Sequence, residues 1–129
     1  MHAIEGIVEH GDARGRELGF RTANIPMLQD DQLDGVWGAE VLLPDGRQVP
    51  ACVSIGRRAT FYRTGGQVLL EAHLLDFSGD LYGQHLVVRL LEFQRPQVEY
   101  ADAGTLVEQL HRDVAETRRA AQLRESVLA

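Results

Sequence analysis

Residues 35–55 read GVWGAEVLLPDGRQVPACVSI, and they decide the fold class. Two largely apolar runs, Gly35–Leu43 and Gln48–Ile55, flank the tripeptide Pro44-Asp45-Gly46. Asp and Gly tolerate the positive φ angles of tight turns, so this tripeptide between two such runs predicts a β-hairpin. The centre of the chain is therefore expected to be antiparallel β-structure.

Further strands are predicted on both sides of this hairpin, at Ala3–Glu9, Val68–Phe77 and Leu81–Phe93, with Pro96 ending the last one. Because side chains alternate along a strand, Val68–Phe77 is expected to present two different faces. One face carries Leu69, Glu71, His73 and Leu75, and the other carries Leu70, Ala72, Leu74 and Asp76. The last strand alternates in the same way, with Leu86, Val88 and Leu90 set against Val87, Arg89 and Leu91.

Near the C-terminus, the spacing of apolar residues changes from the alternation of a strand to the period of a helix. One helical face carries Leu106, Leu110, Val114 and Thr117, and the opposite face carries Glu108, Arg112, Glu116 and Arg119. Thr105 and Glu108 have the spacing of a capping box. A helix over about residues 105–126 is therefore expected.

Several antiparallel strands and one terminal helix are best closed as a small all-β barrel that carries the helix outside. The 129 residues predict one domain, with the barrel in residues 1–96. A net charge of −6 argues against nucleic acid as a partner. All thirteen basic residues are arginine, which excludes a catalytic lysine, and the single Cys52 excludes an internal disulfide. No apolar run reaches the length of a membrane span, so a cytoplasmic protein is expected.

Residues Gly11–Pro26 combine three glycines, three arginines and the pair Thr22 and Asn24. Glycines allow backbone N–H groups to approach a phosphate, arginines add charge, and the two oxygen-bearing side chains suit a hard cation such as Mg²⁺. The segment is either an anion-binding loop or a solvated turn, and composition leaves both open. A second connection, Gly56–Gly66, is a candidate flap, and barrel closure would bring both near the turn Asp76–Asp80.

Glu71 lies in the middle of an apolar strand, where a carboxylate is costly to bury unless it is paired or functional. It is either a general base or a structural partner of an arginine such as Arg89, and the sequence alone does not decide. The five histidines show no metal-ligand spacing. Ordinary structural roles are the better interpretation of Arg95, Tyr82 and Tyr100 from the residues alone.

Four separated stretches resemble the riboflavin kinase (flavokinase) family when they are taken together and in order. They are Gly6-x-Val8-x-His10-Gly11 continuing through Arg14-Gly15-Arg16, Leu18-Gly19-Phe20 and Thr22-Ala23-Asn24-Ile25; Ser54-Ile55-Gly56; Leu70–Gly83; and Arg95-Pro96. The terminal segment Asp113-x-x-x-x-Arg118 fits as well.

The resemblance implies a six-stranded antiparallel, Greek-key-like barrel with a C-terminal helix. It implies transfer of the γ-phosphoryl group of ATP to riboflavin, giving FMN, with Mg²⁺ or another divalent metal. By motif, Glu71 would be the general base and Thr22 and Asn24 would bind the metal and the ATP phosphates. The remaining ATP-binding residues would be Gly11, Arg16, Leu74, Asp76 and Tyr82, and the flavin contacts would be Arg95 and Tyr100.

The chain departs from the family pattern at Arg21 and Ala59, which replace prolines. Both changes leave open a catalytically weakened or inactive flavin- or nucleotide-binding module, and a barrel scaffold for protein contacts is a third possibility. Many bacterial relatives carry an adenylyltransferase domain before this one, whereas here the kinase motif follows Met1 directly. The chain is therefore expected to stop at FMN as a monomer, or to be a piece of, or a partner to, an FAD synthetase.

Overall fold

The computed structural model describes residues 2–10, 19–27, 32–57 and 68–128, which form six strands and one helix. The elements are β1 (His2–Ile7), β2 (Ala23–Pro26), β3 (Gly35–Leu42), β4 (Gln48–Arg57), β5 (Val68–Leu74), β6 (His85–Arg95) and α1 (Ala103–Leu128).

All six strands belong to one antiparallel sheet with the order β1-β6-β3-β4-β5-β2. Strands β3, β4 and β5 are successive neighbours, and β6 returns to lie beside β3. This is the Greek-key arrangement. The hairpin between β3 and β4 turns where the sequence predicts it: the Leu43 N–H donates to the Arg47 carbonyl at 2.9 Å, and Gly46 has a φ of +93°.

The two ends of the sheet meet just after β1, so the sheet forms a nearly closed barrel. The Glu9 N–H donates to the Asn24 carbonyl at 2.8 Å, which forms an isolated antiparallel bridge between the end of β1 and strand β2. The predicted barrel is confirmed. Strand β2 lies inside the segment predicted to be a loop, because Ala23–Pro26 pair with β5.

Alternation along β5 and β6 determines which side chains fill the barrel. Leu70, Ala72, Leu86 and Val88 are fully buried in the core, as predicted from the period-2 pattern. The pattern ends at Leu74, where β5 ends, and there the prediction is wrong: Leu75 is buried and Asp76 is exposed. Asp76 has a φ of +54°, which turns the chain out of the strand.

Strand β6 begins at His85 rather than at the predicted Leu81, because a turn occupies the preceding residues. Asp80 Oδ1 accepts from the Tyr82 N–H at 2.9 Å, the Gln84 N–H donates to the Leu81 carbonyl at 3.0 Å, and Gly83 has a φ of +80°. These contacts hold residues 80–84 out of the strand conformation. Strand β6 ends at Arg95, in agreement with the stop expected from Pro96.

Helix α1 lies outside the barrel and packs mainly on β3 and β4. Its predicted capping box is wrong: Asp102, not Thr105, is the N-cap, because Asp102 Oδ1 accepts from the Thr105 N–H at 2.7 Å. The inner face is centred on three buried residues, Asp113, Thr117 and Ala121, whereas the leucines at 106 and 110 are only half-buried. In the described part of the chain, no helix has both the length and the apolar character required to cross a bilayer.

Candidate active site

A pocket of about 450 Å³ opens beside the bridge that closes the barrel. Four segments line it: residues 8–10 after β1, residues 19 and 21–24 leading into β2, residues 72–74 of β5, and residues 77–82 of the β5–β6 connection. Its size is within the range of small-molecule sites. Parts of two of the three segments expected to converge on one site, Gly11–Pro26 and Asp76–Asp80, therefore line this pocket.

Thr22 and Asn24 lie together in the pocket wall. The Thr22 hydroxyl donates to Asn24 Oδ1 at 3.2 Å, and Asn24 is only 8% exposed. Hydroxyl and amide oxygens are ligands of the kind that Mg²⁺ takes. Among the described residues, no group of three or more His, Cys, Asp or Glu side chains is arranged to hold a metal ion. Thr22 and Asn24 thus offer two neutral oxygens in the pocket wall, and a Mg²⁺ ion held there would need further ligands.

Glu71 lies on the outer face of β5, next to Asn24. The antiparallel register pairs Glu71 with Asn24 on β2 and with Ser54 on β4. Because directly opposite residues of adjacent strands project on the same face, these three polar side chains form a row across the sheet. Glu71 is half-buried. The register of β2 and β5 therefore brings the candidate base and one candidate metal ligand side by side.

The alternative pairing of Glu71 with Arg89 is wrong. Arg89 lies on β6, which β3 and β4 separate from β5, and its Nη2 lies 3.5 Å from Glu40 Oε1. Glu40 is directly opposite Arg89 in the β3–β6 register. Strand order, which the sequence did not reveal, decides this partnership.

Leu74 and Tyr82 also line the pocket. The Tyr82 ring stacks on the His10 ring, with centroids 3.7 Å apart and an interplanar angle of 18°. Tyr82 remains half-exposed, so an aromatic face is available beside the pocket. A flat heteroaromatic base is the kind of ligand that such a face binds.

Asp76 lies outside the residues that line the pocket and contacts helix α1 instead. Arg118 donates to both of its carboxylate oxygens, at 2.7 and 3.1 Å. These hydrogen bonds hold the pKa of Asp76 below its ordinary value. The same arginine therefore connects the turn after β5 to the helix.

Arg95 and Tyr100, the two candidate flavin contacts, lie together at the end of β6, with the guanidinium carbon 5.9 Å from the ring centroid. Arg95 also makes a bidentate pair with Asp113 of α1, through Nε–Oδ1 and Nη2–Oδ2 distances of 2.8 and 2.7 Å. The hydrogen bonds to Asp113 raise the pKa of Arg95. Asp113 is only 4% exposed, so the pair holds the helix against the barrel.

Gly11, Arg16 and Ala59 lie outside the described residues, as does most of the candidate flap.

The outer face of β4 and β5 next to α1 carries Cys52 and His73, which are directly opposite each other. Burial raises the pKa of the Cys52 thiol to about 11, so it is a neutral packing group and not a nucleophile at neutral pH.

Sequence reasoning missed three polar contacts that shape the site. The first is the ion pair in which Arg95 donates to Asp113. In the others, His73 Nδ1 donates to the Arg21 carbonyl at 2.7 Å, and Gln97 Nε2 donates to the Ser54 hydroxyl at 2.7 Å. Each joins residues at least 18 positions apart, so no local pattern signals it. Only the helical position of Asp113, four residues before the buried Thr117, was visible in the sequence.

Comparison with known proteins gives a consistent family. The Flavokinase (riboflavin kinase) family model matches residues 1–121. The chain is 41% identical over 112 residues to the bifunctional riboflavin kinase/FMN adenylyltransferase of Escherichia coli K12, covering 86% of this chain and 35% of that protein.

Two solved structures resemble the fold. Riboflavin kinase from Trypanosoma brucei superposes with a TM-score of 0.63 at 25% identity, covering 93% of this chain and 79% of that one. A Streptococcus pneumoniae structure described as a macrolide-efflux protein gives a TM-score of 0.77 at 31% identity, covering 90% of this chain and 38% of that one. The chain thus spans about a third of the length of the bifunctional bacterial relatives that it matches.

Proposed function

The chain belongs to the riboflavin kinase family, and on that premise we propose that it transfers the γ-phosphoryl group of ATP to the 5′-hydroxyl of riboflavin, forming FMN and ADP. The observation that carries the proposal is the row of Asn24, Glu71 and Ser54, of which Asn24 lines a pocket in the size range of small-molecule sites. A candidate base and a candidate phosphate or metal ligand are adjacent there, which is the arrangement that phosphoryl transfer to an alcohol requires.

ATP occupies the pocket in this proposal. Its phosphates lie against Thr22 and Asn24, and its base lies near Leu74 and the exposed face of Tyr82. Gly11 and Arg16 add further contacts. Positioning and charge neutralisation provide most of the catalysis in phosphoryl transfer, and a pocket formed by four converging segments suits that task.

Riboflavin binds on the side of Glu71 that is away from the ATP pocket, on the outer face of the barrel. Its flavin ring lies towards Arg95 and Tyr100 at the end of β6, and its ribityl chain passes the row that contains Glu71. Arg95 is already oriented by Asp113, so its guanidinium is preorganised for a polar ring edge.

Glu71 accepts the proton of the ribityl 5′-hydroxyl as that oxygen attacks the γ-phosphorus. The new bond joins the 5′-oxygen to phosphorus, the bond from phosphorus to the β–γ bridging oxygen breaks, and ADP leaves. A bound Mg²⁺ would neutralise charge on the phosphates. Thr22 and Asn24 supply the protein oxygens that would hold it, consistent with their contact at 3.2 Å.

The test compares the wild type with Glu71→Gln, which keeps the shape of the side chain but cannot accept the proton. With riboflavin, ATP and MgCl₂, we expect the wild type to form FMN and the variant to lose about 10²- to 10⁴-fold in kcat. The KM for riboflavin should change little. Separation of FMN from riboflavin by liquid chromatography gives the rate.

Glu5→Gln is the matched control, because Glu5 is also a strand glutamate but lies on β1 and is paired with His85 at 3.1 Å. It should retain wild-type turnover. Absence of FMN from the wild type would refute the proposed reaction, whereas equal kcat for Glu71→Gln and wild type would refute the role of Glu71.

A non-catalytic flavin- or nucleotide-binding module is the second candidate, favoured by Arg21 in place of the expected proline. It predicts calorimetric binding of riboflavin or MgATP without turnover.

We further propose a monomer that works in the cytoplasm, where ATP is supplied and the free Cys52 stays reduced. Sedimentation at assay concentration tests the monomer.

A further inference from the structure

We propose that His73 is a positioning residue for the ATP site: its Nδ1–H holds the Arg21 carbonyl and thereby fixes the segment that carries Thr22 and Asn24. The inference rests on the proposed function, because it assigns a role within the same pocket. His73 and Arg21 both line that pocket.

The contact is short and its direction is determined by chemistry. His73 Nδ1 lies 2.7 Å from the Arg21 carbonyl oxygen. A carbonyl oxygen only accepts hydrogen bonds, so the Nδ1 atom must carry the proton. Neutral histidine in its Nδ1–H tautomer meets this requirement, and its Nε2 atom then remains an acceptor on the other side of the ring.

Packing holds the His73 ring in place. Phe20 makes an edge contact with it at a centroid distance of 5.5 Å, and the same phenylalanine contacts His111 of α1 at 5.0 Å. Phe20, which precedes Arg21 in the chain, therefore packs between strand β5 and helix α1. His73 is anchored further by its position in the β4–β5 ladder, opposite Cys52.

The tether, which is the hydrogen bond from His73 to the Arg21 carbonyl, lies just before strand β2 begins. Strand pairing of β2 begins at Ala23, so Arg21 and Thr22 precede the ladder. A proline at position 21 would restrict φ just before Thr22, and arginine does not. A hydrogen bond from a rigid strand side chain to the Arg21 carbonyl orders the same peptide unit by other means.

The consequence concerns the oxygens that face the pocket. The Thr22 hydroxyl and Asn24 Oδ1 are 3.2 Å apart, and Thr22 directly follows Arg21 in the chain. Loss of this hydrogen bond allows the peptide before Thr22 to rotate, whereas Asn24 stays held in the β2–β5 ladder. The Thr22 hydroxyl is then ordered beside Asn24 Oδ1 only when MgATP binds. The ordering cost then appears as weaker binding of MgATP and not of riboflavin.

The test compares His73→Leu, which has no donor, with His73→Asn, whose side-chain N–H reaches about the same point as Nδ1–H. We expect His73→Leu to raise both the KM for MgATP and its calorimetric dissociation constant about three- to tenfold, the effect of one hydrogen bond. The KM for riboflavin should stay within twofold. His73→Asn should recover most of the loss.

His85→Leu is the control, since His85 is an exposed histidine at the start of β6 whose partner is Glu5. It should bind MgATP as the wild type does. Unchanged MgATP binding in His73→Leu would overturn the inference, and so would equal losses in His73→Asn and His73→Leu.

The two proposals fail in different ways. If the wild type binds MgATP but forms no FMN, and His73→Leu still weakens that binding, the proposed reaction is wrong and the tether is supported. If FMN is formed and His73→Leu lowers only the melting temperature, the tether is wrong and the reaction is supported.

Discussion

Asp113 is a buried carboxylate on the face of α1 that packs against the barrel, and its charge is paired with that of Arg95. Its side chain is almost fully buried and makes a bidentate contact with Arg95, while Gln109 Nε2 donates to Oδ1 at 2.9 Å. Removal of one charge from a buried pair leaves the other without compensation. We therefore expect Asp113→Asn to lower the free energy of unfolding by about 3 kcal/mol, near the lower end for buried pairs because Arg95 retains some exposure.

Urea titration measures this change, and Asp45→Asn is the control. Asp45 also pairs with an arginine, since its Oδ2 lies 2.8 Å from Arg47 Nε, but both side chains are more than half exposed. Exposed pairs contribute little to stability, so this variant should unfold at nearly the wild-type urea concentration. Equal midpoints for the two variants would contradict a structural role for the Arg95–Asp113 pair.

The turn after β5 and helix α1 are joined by one exposed ion pair, between Asp76 and Arg118. Arg118 holds the pKa of Asp76 below its ordinary value of 3.8, so the folded state binds this proton more weakly than the unfolded state. The resulting stability is fully present above the unfolded pKa and is lost as the pH falls through the folded pKa. Because the pair is exposed, we expect Asp76→Asn to melt only slightly below the wild type at pH 6, with the difference shrinking below pH 4.

Asparagine suits this test because it also tolerates the φ of +54° found at residue 76. The difference between wild type and variant isolates Asp76 from other carboxylates whose pKa is also lowered, such as Asp102 and Glu116. In an Arg118→Gln background, Asp76→Asn should lose this pH-dependent effect. A difference that stays constant from pH 6 to pH 3 would contradict the linkage.

Elements with a strong local pattern were predictable, whereas some of their ends and the pairing of strands distant in the chain were not. The hairpin at Pro44-Asp45-Gly46 and the burial of Leu70 and Leu86 follow from turn chemistry and period-2 alternation. The N-cap was misassigned because Thr105 and Asp102 both suit a cap, and only the backbone geometry selects Asp102. Strand β2 was missed because four residues within a glycine- and arginine-rich segment carry too little periodicity.

Barrel closure is a property of the whole chain, and it decides which candidate residues meet. The motifs predicted that Glu71 and Asn24 share a function, and register places them opposite each other. Arg95 and Asp113 meet because β6 returns beside β3, under the helix. Such contacts between distant residues depend on strand order, which no single stretch of the sequence encodes.

The seam of the barrel is its weakest ladder, and the proposed ATP site lies on it. Strand β3 pairs along its length with β4 and β6, whereas within the described residues the two ends of the sheet are joined by one isolated bridge, between Glu9 and Asn24. Local opening at the seam therefore costs less than global unfolding. We expect the Glu9 amide, which donates to the Asn24 carbonyl, to exchange with deuterium much faster than the Val41 amide inside the sheet.

A ligand that binds only the closed seam lowers the equilibrium population of the open seam by the factor 1 + [L]/Kd, and exchange through that opening falls by the same factor. With MgATP at about 100 times its dissociation constant, exchange at Glu9 should slow about 100-fold, because Glu9 and Asn24 both line the pocket. Hydrogen exchange read by NMR at single amides measures both sites. Riboflavin alone should leave the Glu9 rate unchanged, since its proposed site lies on the other side of Glu71. Absence of protection of Glu9 by MgATP would place the nucleotide away from the seam, and equal protection by riboflavin would contradict the separate flavin site.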